Sequence, residues 1–374
     1  RGSYLSGTRC LQCMKGLACA HGWPNNWATE GGTVVLESNY YSLGSAPYET
    51  YQCRHQEADG SCPGGNPQQP CNHGVMGFLC TRCSKSGYHI VHGTCEPCAA
   101  QHKSSLVTVF FAASIWLCYR YYRANTPVAV QASHKQNFTI FLGLLVTILQ
   151  MCGVVSELLP WPKYLHGFVQ MISSLLALEP GAISLTCAVG DPAVVQYLAL
   201  SLLPFSLVAL TAMLGMSSRI MARALGKSGL RWTFSKCANV LAHAFQSLFI
   251  TLGHITVRPL QCYPHPNGKQ SVIVFPDVLC WESFEHMVLT IAATGVLLLF
   301  ILPYIAWCAW GCWKAPMKSL QKDTTFLETF RFLFFRFRTD CWWWGPVILL
   351  RQTCLAFIAA MPDSNRFAQT FFAA

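Results

Sequence analysis

Charge is what this sequence has least of. Asp, Glu, Lys and Arg make up 11% of its 374 residues, where soluble domains carry roughly 25%. So few charges argue against a water-facing globular chain and for one that lies largely in lipid, and the apolar share of 52% agrees. Catalytic signatures are missing as well. There is no G-x-S-x-G, P-loop, H-E-x-x-H or kinase set, and His55 and the acids near it have no nucleophile at an informative spacing. An enzyme is not expected, and neither is a cofactor. No 20–50-residue repeat or low-complexity tract is present.

What charge there is sums to +10. A basic balance can mark a nucleic-acid partner, but these Lys and Arg residues sit mostly in short connections between apolar runs. Topology accounts for them, and nucleic acid is not an expected partner.

Cysteine, by contrast, is abundant. Ten of the twenty cysteines fall in the first hundred residues, which points to an oxidising compartment. Residues 1–103 are rich in Cys, Gly and Pro and lack long apolar periodicity, so covalent staples are expected to replace a core too small to hold the region. The clearest unit runs from Cys71 to Cys98. Its two C-x-x-C pairs, Cys80/Cys83 and Cys95/Cys98, are separated by eleven residues. A zinc ribbon uses the same spacing. The even count and direct attachment to a membrane helix favour disulfides. The candidates are Cys10, Cys13, Cys19, Cys53, Cys62, Cys71, Cys80, Cys83, Cys95 and Cys98, with connectivity unassigned. A redox C-x-x-C enzyme fits worst, since no βαβ pattern surrounds either pair.

Apolar runs near 104–122, 138–159, 193–216, 237–257, 284–310 and 342–361 each approach the length needed for a hydrocarbon core of about 30 Å. A seventh starts near Phe367 and reaches Ala374. Arg1 in place of a methionine, and an apolar run at the other end, make both termini read as cuts in a longer chain. With 1–103 outside, fourteen Lys and Arg fall in inner connections and four (Lys163, Arg258, Lys269, Arg366) in outer ones. This bias has the positive-inside sense and agrees with the cysteines. The expected fold class is therefore a membrane all-α, polytopic bundle of six to seven spans over 104–374. It follows a small, disulfide-rich, loop and β-rich extracellular domain at 1–103.

This topology places Cys262 and Cys280 in one outer loop, where Asn267–Gly268 can form a tight turn between extended arms. A disulfide is expected there. Cys187 is also outside, without an assigned partner. Cysteines 118, 152, 237, 308, 312, 341 and 354 read as small apolar residues in or under the membrane. The 160–187 connection has helical apolar spacing and reads as a surface-lying or re-entrant segment. Asn137–Thr139 matches a glycosylation sequon but falls on the inner side.

The stretch from Thr324 to Met361 begins with interleaved Phe and Arg, passes three tryptophans and becomes apolar. The tryptophans mark a membrane boundary. The Phe-Arg part reads as a passive interfacial anchor in preference to a lever. Arg351 lies eight residues beyond Trp343, about 12 Å deep at helical rise. An ionisable group at such depth is a functional candidate, balanced against snorkelling of its long stem. Glu282, Glu285 and His286 lie at the outer end of the fifth span, too far to pair with it. His243 and His254 read as packed histidines, and no spacing joins them to a metal site.

Taken in order, Gly77, Phe78, Cys80, Cys83, Gly87, Tyr88, Cys95 and Cys98, then the Cys262–Cys280 loop, then the F-x-x-L-F segment before a Trp-rich helix with an internal Arg, form a pattern. It resembles large multi-pass membrane proteins of algae and protists that carry EGF-like or ephrin-receptor-like cysteine-rich ectodomains and a TRP-like membrane domain. The resemblance implies an EGF-like unit at about 71–98 and a cation channel or channel-related sensor, probed from outside by ligand, matrix or force. The alternatives are a non-conducting cell-surface receptor or adhesion protein and, more weakly, a transporter, for which Pro204 and Pro303 are the only hints. The expected partners are the lipid bilayer, an extracellular ligand or matrix, and further copies of the chain. The expected location is the plasma membrane.

Overall fold

A computed structural model describes residues 3–6, 9–18, 35–53, 61–91, 94–98, 100–125, 141, 145, 148, 185–190, 192–227, 229, 231–334, 341 and 343–358. Five antiparallel ribbons come first. They pair β1 (Ser3–Ser6) with β2 (Arg9–Gln12), β3 (Leu17–Ala18) with β4 (Val35–Leu36), and β5 (Tyr40–Leu43) with β6 (Ala46–Gln52). They continue with β7 (Val75–Met76) on β8 (Arg82–Cys83) and β9 (Tyr88–Val91) on β10 (Thr94–Pro97). Helices α1 (Ala100–Asn125), α2 (Leu185–Val189), α3 (Ala193–Ser201), α4 (Leu203–Ala224) and α5 (Phe234–Val257) follow. A sixth ribbon joins β11 (Cys262–Pro264) to β12 (Gln270–Val272). The chain then forms α6 (Phe284–Val296), a π turn (Leu297–Ile301), α7 (Leu302–Leu320), α8 (Thr324–Thr329), α9 (Arg331–Phe334) and α10 (Trp344–Ile358).

The fold is thus helix-rich, with small strands and disulfides in its N-terminal region. Among the described residues, three helices are long and apolar enough to cross a membrane: Leu203–Ala224, Phe234–Leu260 and Phe284–Leu320. The expected run at 138–159 lies outside the described residues apart from helical positions 141, 145 and 148, and 367–374 lies outside them entirely. At two of the described spans, proline explains why the limits move. Pro204 sits at the start of α4, so the expected 193–216 run divides at Leu202 into α3 and α4. Proline fits a first helical turn because its missing N–H would be unbonded there in any case. Pro303 has the opposite setting, inside a continuous helix. Its missing donor breaks the i→i−4 ladder, and the backbone takes up the defect as the π turn just before it. The helix then continues to Leu320, ten residues past the expected end.

The chain divides into two units. The first contains Arg1–Lys103, Ser184–Gln196 and Arg258–Thr290, and the second holds Ser104–Ile183, Tyr197–Val257 and Ile291–Ala374. The main core of the first unit gathers Tyr41, Tyr51, Cys53, Cys62, Val75, Leu79 and Cys80. Phe78 places its ring edge-on to Tyr51 at 4.9 Å and Tyr41 at 5.5 Å, a favoured aromatic geometry. A smaller cluster has Leu17, Leu36 and Tyr40. There the Tyr40 ring lies directly over Gly16, which has φ +93°, so a side chain at that position would collide with the ring.

In the second unit α5 is central. Seventy-two percent of its apolar window is buried, against 28% for the windows of Leu203–Ala224 and Phe284–Leu320. Tyrosines tie neighbours to it at both ends. Tyr197 donates to the Ile255 carbonyl at 3.1 Å and Tyr304 to that of Ala242 at 2.9 Å. Tyr121 on α1 stacks on Trp232 at 3.8 Å and donates to the Arg231 carbonyl.

Candidate functional site

Two constructions stand out, one in each unit. In the first unit, sulfur bridges fix the scaffold. Cys53 is joined to Cys62, Cys71 to Cys80, Cys83 to Cys95, Cys98 to Cys187 and Cys262 to Cys280. The two C-x-x-C pairs are therefore divided among three bridges, and their four sulfurs do not converge as a zinc ribbon requires. Cys13 is also disulfide-bonded. The Cys10 side chain and Cys19 lie outside the described residues.

On this scaffold the hairpin β11–β12, turning at Asn267–Gly268, is fastened to strand β6 through His265. The His265 imidazole is buried. Its Nδ1 accepts the backbone N–H of Gln52 at 3.1 Å, and its Nε2 meets the Ser271 hydroxyl at 2.8 Å. Because Nδ1 accepts, the proton belongs on Nε2, which donates to Ser271. Tyr263 donates to the Gln52 carbonyl at 3.3 Å. The rings of Tyr51 and Tyr263 stand edge-on to the imidazole at 5.3 and 4.8 Å. Burial among these rings pushes the His265 pKa down to about 4. At the rim, Arg82 pairs with Asp277 at 3.0 Å and Lys269 with Glu282 at 3.6 Å. His286 forms a second buried tie, accepting from the Trp281 N–H and meeting the Pro259 carbonyl at 3.0 Å. The hairpin is continuous in the chain with α5 on one side and α6 on the other.

In the second unit the described part of the Phe-Arg segment, residues 326–334, departs from the anchor reading. Phe326, Phe330, Phe332 and Leu333 are buried, packed in one cluster with Phe249, Tyr304, Cys308 and Leu349. The segment is a wedge between α5, α7 and α10. It can enter because small residues leave room. The Phe330 ring lies where a side chain on Gly311 would be, and Leu333 closes on Gly345. Trp307 covers Phe330 at 4.5 Å and stacks on Phe332 at 5.8 Å.

Polar groups fix the ends of the wedge. Asp323 caps α8 by accepting the Phe326 N–H at 3.1 Å and pairs with Lys318 at 3.0 Å. The backbone hydrogen bond first, and Lys318 second, hold its carboxyl below the usual range. At the break between α8 and α9, the Phe332 N–H has no carbonyl of its own helix to bond. Asn239 of α5 accepts it at 3.0 Å.

Arg351 lies on α10 and is exposed, while its neighbour Gln352 is buried. His243 lies against the Phe332 ring at 6.2 Å and His254 is buried in α5. Glu285 is exposed in the first turn of α6. Cys118, Cys237, Cys308, Cys312, Cys341 and Cys354 are free thiols. His265 and Asn239 escaped the sequence reading. For Asn239 the signal was present, since an amide on an apolar helix needs a buried partner. For His265 it was not, because its partner Gln52 is remote in sequence. No family model, curated protein or solved structure matches this chain.

Proposed function

We propose that this chain belongs to a channel-related membrane sensor, with a cysteine-rich module outside and six to seven spans, similar to proteins with EGF-like ectodomains and TRP-like membrane domains. One observation carries the sensing part. The strand-and-disulfide module is fastened through His265 and Tyr263 to a hairpin, and through Arg82 to the loop after it, and this stretch connects two apolar helices long enough to span a bilayer. A ligand, matrix or force acting on the module would pull on both helices through that hairpin. The buried wedge supports a moving part more than a passive anchor, because any shift of α5 against α7 must repack Phe330 and Phe332. Arg351 on α10 is the charge assigned to gating or its support. The plasma membrane is the assigned location, and further copies of the chain would complete a conducting pathway.

The test is whole-cell current from the full-length protein, wild type beside Arg351→Gln, with surface delivery measured in parallel. A protein-dependent current that the substitution alters at equal surface level is the expected result. Protein that reaches the surface without carrying current would overturn conduction. It would leave a receptor or adhesion protein, to be pursued through ligands of the cysteine-rich module.

A further inference from the structure

We propose that Cys98–Cys187, with His89 beside it, is a thiol-exchange site: a disulfide that an extracellular dithiol of the C-x-x-C oxidoreductase type opens in preference to the other bridges. The inference concerns the first unit alone and stands whether or not the chain conducts.

The geometry comes from the β9–β10 ribbon. Its strands pair His89 with Glu96, and the Cys98 N–H bonds to the Gly87 carbonyl at 2.8 Å, so the end of the ribbon carries imidazole and sulfur together. His89 Nδ1 lies 3.9 Å from Cys98 Sγ, and the ligand atoms of His89, Cys98 and Cys187 all lie within 4.8 Å of one another. The imidazole is buried, whereas both cysteines are only half-buried. A thiolate can therefore reach the sulfurs while the histidine stays fixed against them. The other bridges described at both ends lack one of these conditions. Cys53, Cys62, Cys80 and Cys280 are sealed at 4% exposure or less. Cys262–Cys280 also has a histidine nearby, but its Cys280 sulfur is sealed from an incoming thiolate. Cys83–Cys95 is half-buried at both ends but belongs to no such histidine cluster among the described residues.

The exchange proceeds in two steps. One thiolate of the dithiol attacks Cys187 Sγ, the S–S bond breaks, and its electron pair leaves on Cys98 Sγ. That thiolate is stabilised by a proton on His89 Nδ1, and a better-stabilised leaving thiolate departs faster. The second thiolate of the dithiol then attacks its own partner sulfur in the mixed disulfide and releases Cys187 as a thiolate, which takes a proton from water. Two electrons and two protons pass to Cys98 and Cys187, and the dithiol becomes a disulfide. The structural result is the release of α2, which this bridge ties to the ribbon across 89 residues of chain.

The experiment uses the full chain in membranes, with timed exposure to dithiothreitol, trapping by N-ethylmaleimide, and mass spectrometry of each cysteine. Cys98 and Cys187 are expected to open roughly tenfold faster than Cys53–Cys62, and faster than the exposure-matched Cys83–Cys95. His89→Gln should remove most of that advantage and leave the Cys83–Cys95 rate unchanged. Opening no faster than Cys83–Cys95, or an advantage that survives His89→Gln, would overturn the proposal. If the variant does not fold, the ranking of bridges in the wild-type chain decides alone.

Discussion

His265 ties two distant stretches by accepting, at Nδ1, a backbone N–H from Gln52. A protonated ring cannot accept there, so the tie exists only in the neutral form. Its folded pKa of about 4 lies below the unfolded value of about 6.5. The unfolded chain therefore takes up the proton first, and this contribution to stability is complete above about pH 6.5 and falls away as pH drops towards 4. Protection of the Gln52 amide against hydrogen exchange, corrected for intrinsic rate, should fall across that window, and His265→Gln should flatten the profile. Protection independent of pH in the wild type would contradict the assignment. Asn239 is a second single-residue case. Asn239→Leu removes the acceptor of a buried N–H and should cost about 1–3 kcal/mol in unfolding measurements in micelles. These two residues show how far the sequence could be read at this scale. Residue type gave warning where a polar group sat on an apolar helix. It gave none where the partner lay in another stretch of chain.

The wedge of α8 and α9 belongs to the scale of elements. Its composition was plain in the sequence, but its position was not, because phenylalanine is as suited to a membrane surface as to a packed core. What decides the matter is the absence of side chains elsewhere, at Gly311 and Gly345, and no local pattern ties Gly311 to Phe330 or Gly345 to Leu333, each more than ten residues away. Gly311→Ala should destabilise the bundle by about 1–3 kcal/mol through overpacking. Phe330→Leu in the same chain should restore part of the loss. If Gly311→Ala unfolds at the wild-type midpoint, Phe330 does not pack against Gly311. The Cys262–Cys280 hairpin was easier to foresee, since an Asn-Gly pair between extended arms signals its own turn.

At the scale of the molecule, composition alone separated a cysteine-rich N-terminal region from a chain of apolar helices. Charge scarcity and compartment chemistry act on whole stretches and do not need a contact map. The pairing of sulfurs does need one, which is why the partner of Cys187 was not readable. Loop length sets what each bridge contributes. In the chain-entropy picture Cys98–Cys187, spanning 89 residues, should contribute about 2 kcal/mol more than Cys53–Cys62, spanning 9. Replacing each pair by serine and comparing unfolding midpoints checks the order. A smaller loss for Cys98–Cys187 would show that the unfolded chain is already restrained.

The π turn at Leu297–Ile301 has a geometric consequence for α6 and α7. One residue added to a helical turn rotates everything beyond it by about 100° around the axis. The stripe of side chains that α6 continues in a straight line is therefore not the stripe that α7 presents. A defect of this kind needs no new bonds to travel. If it moves one residue along the rod, the side chains it passes turn by that same angle while the helix ends stay where they are.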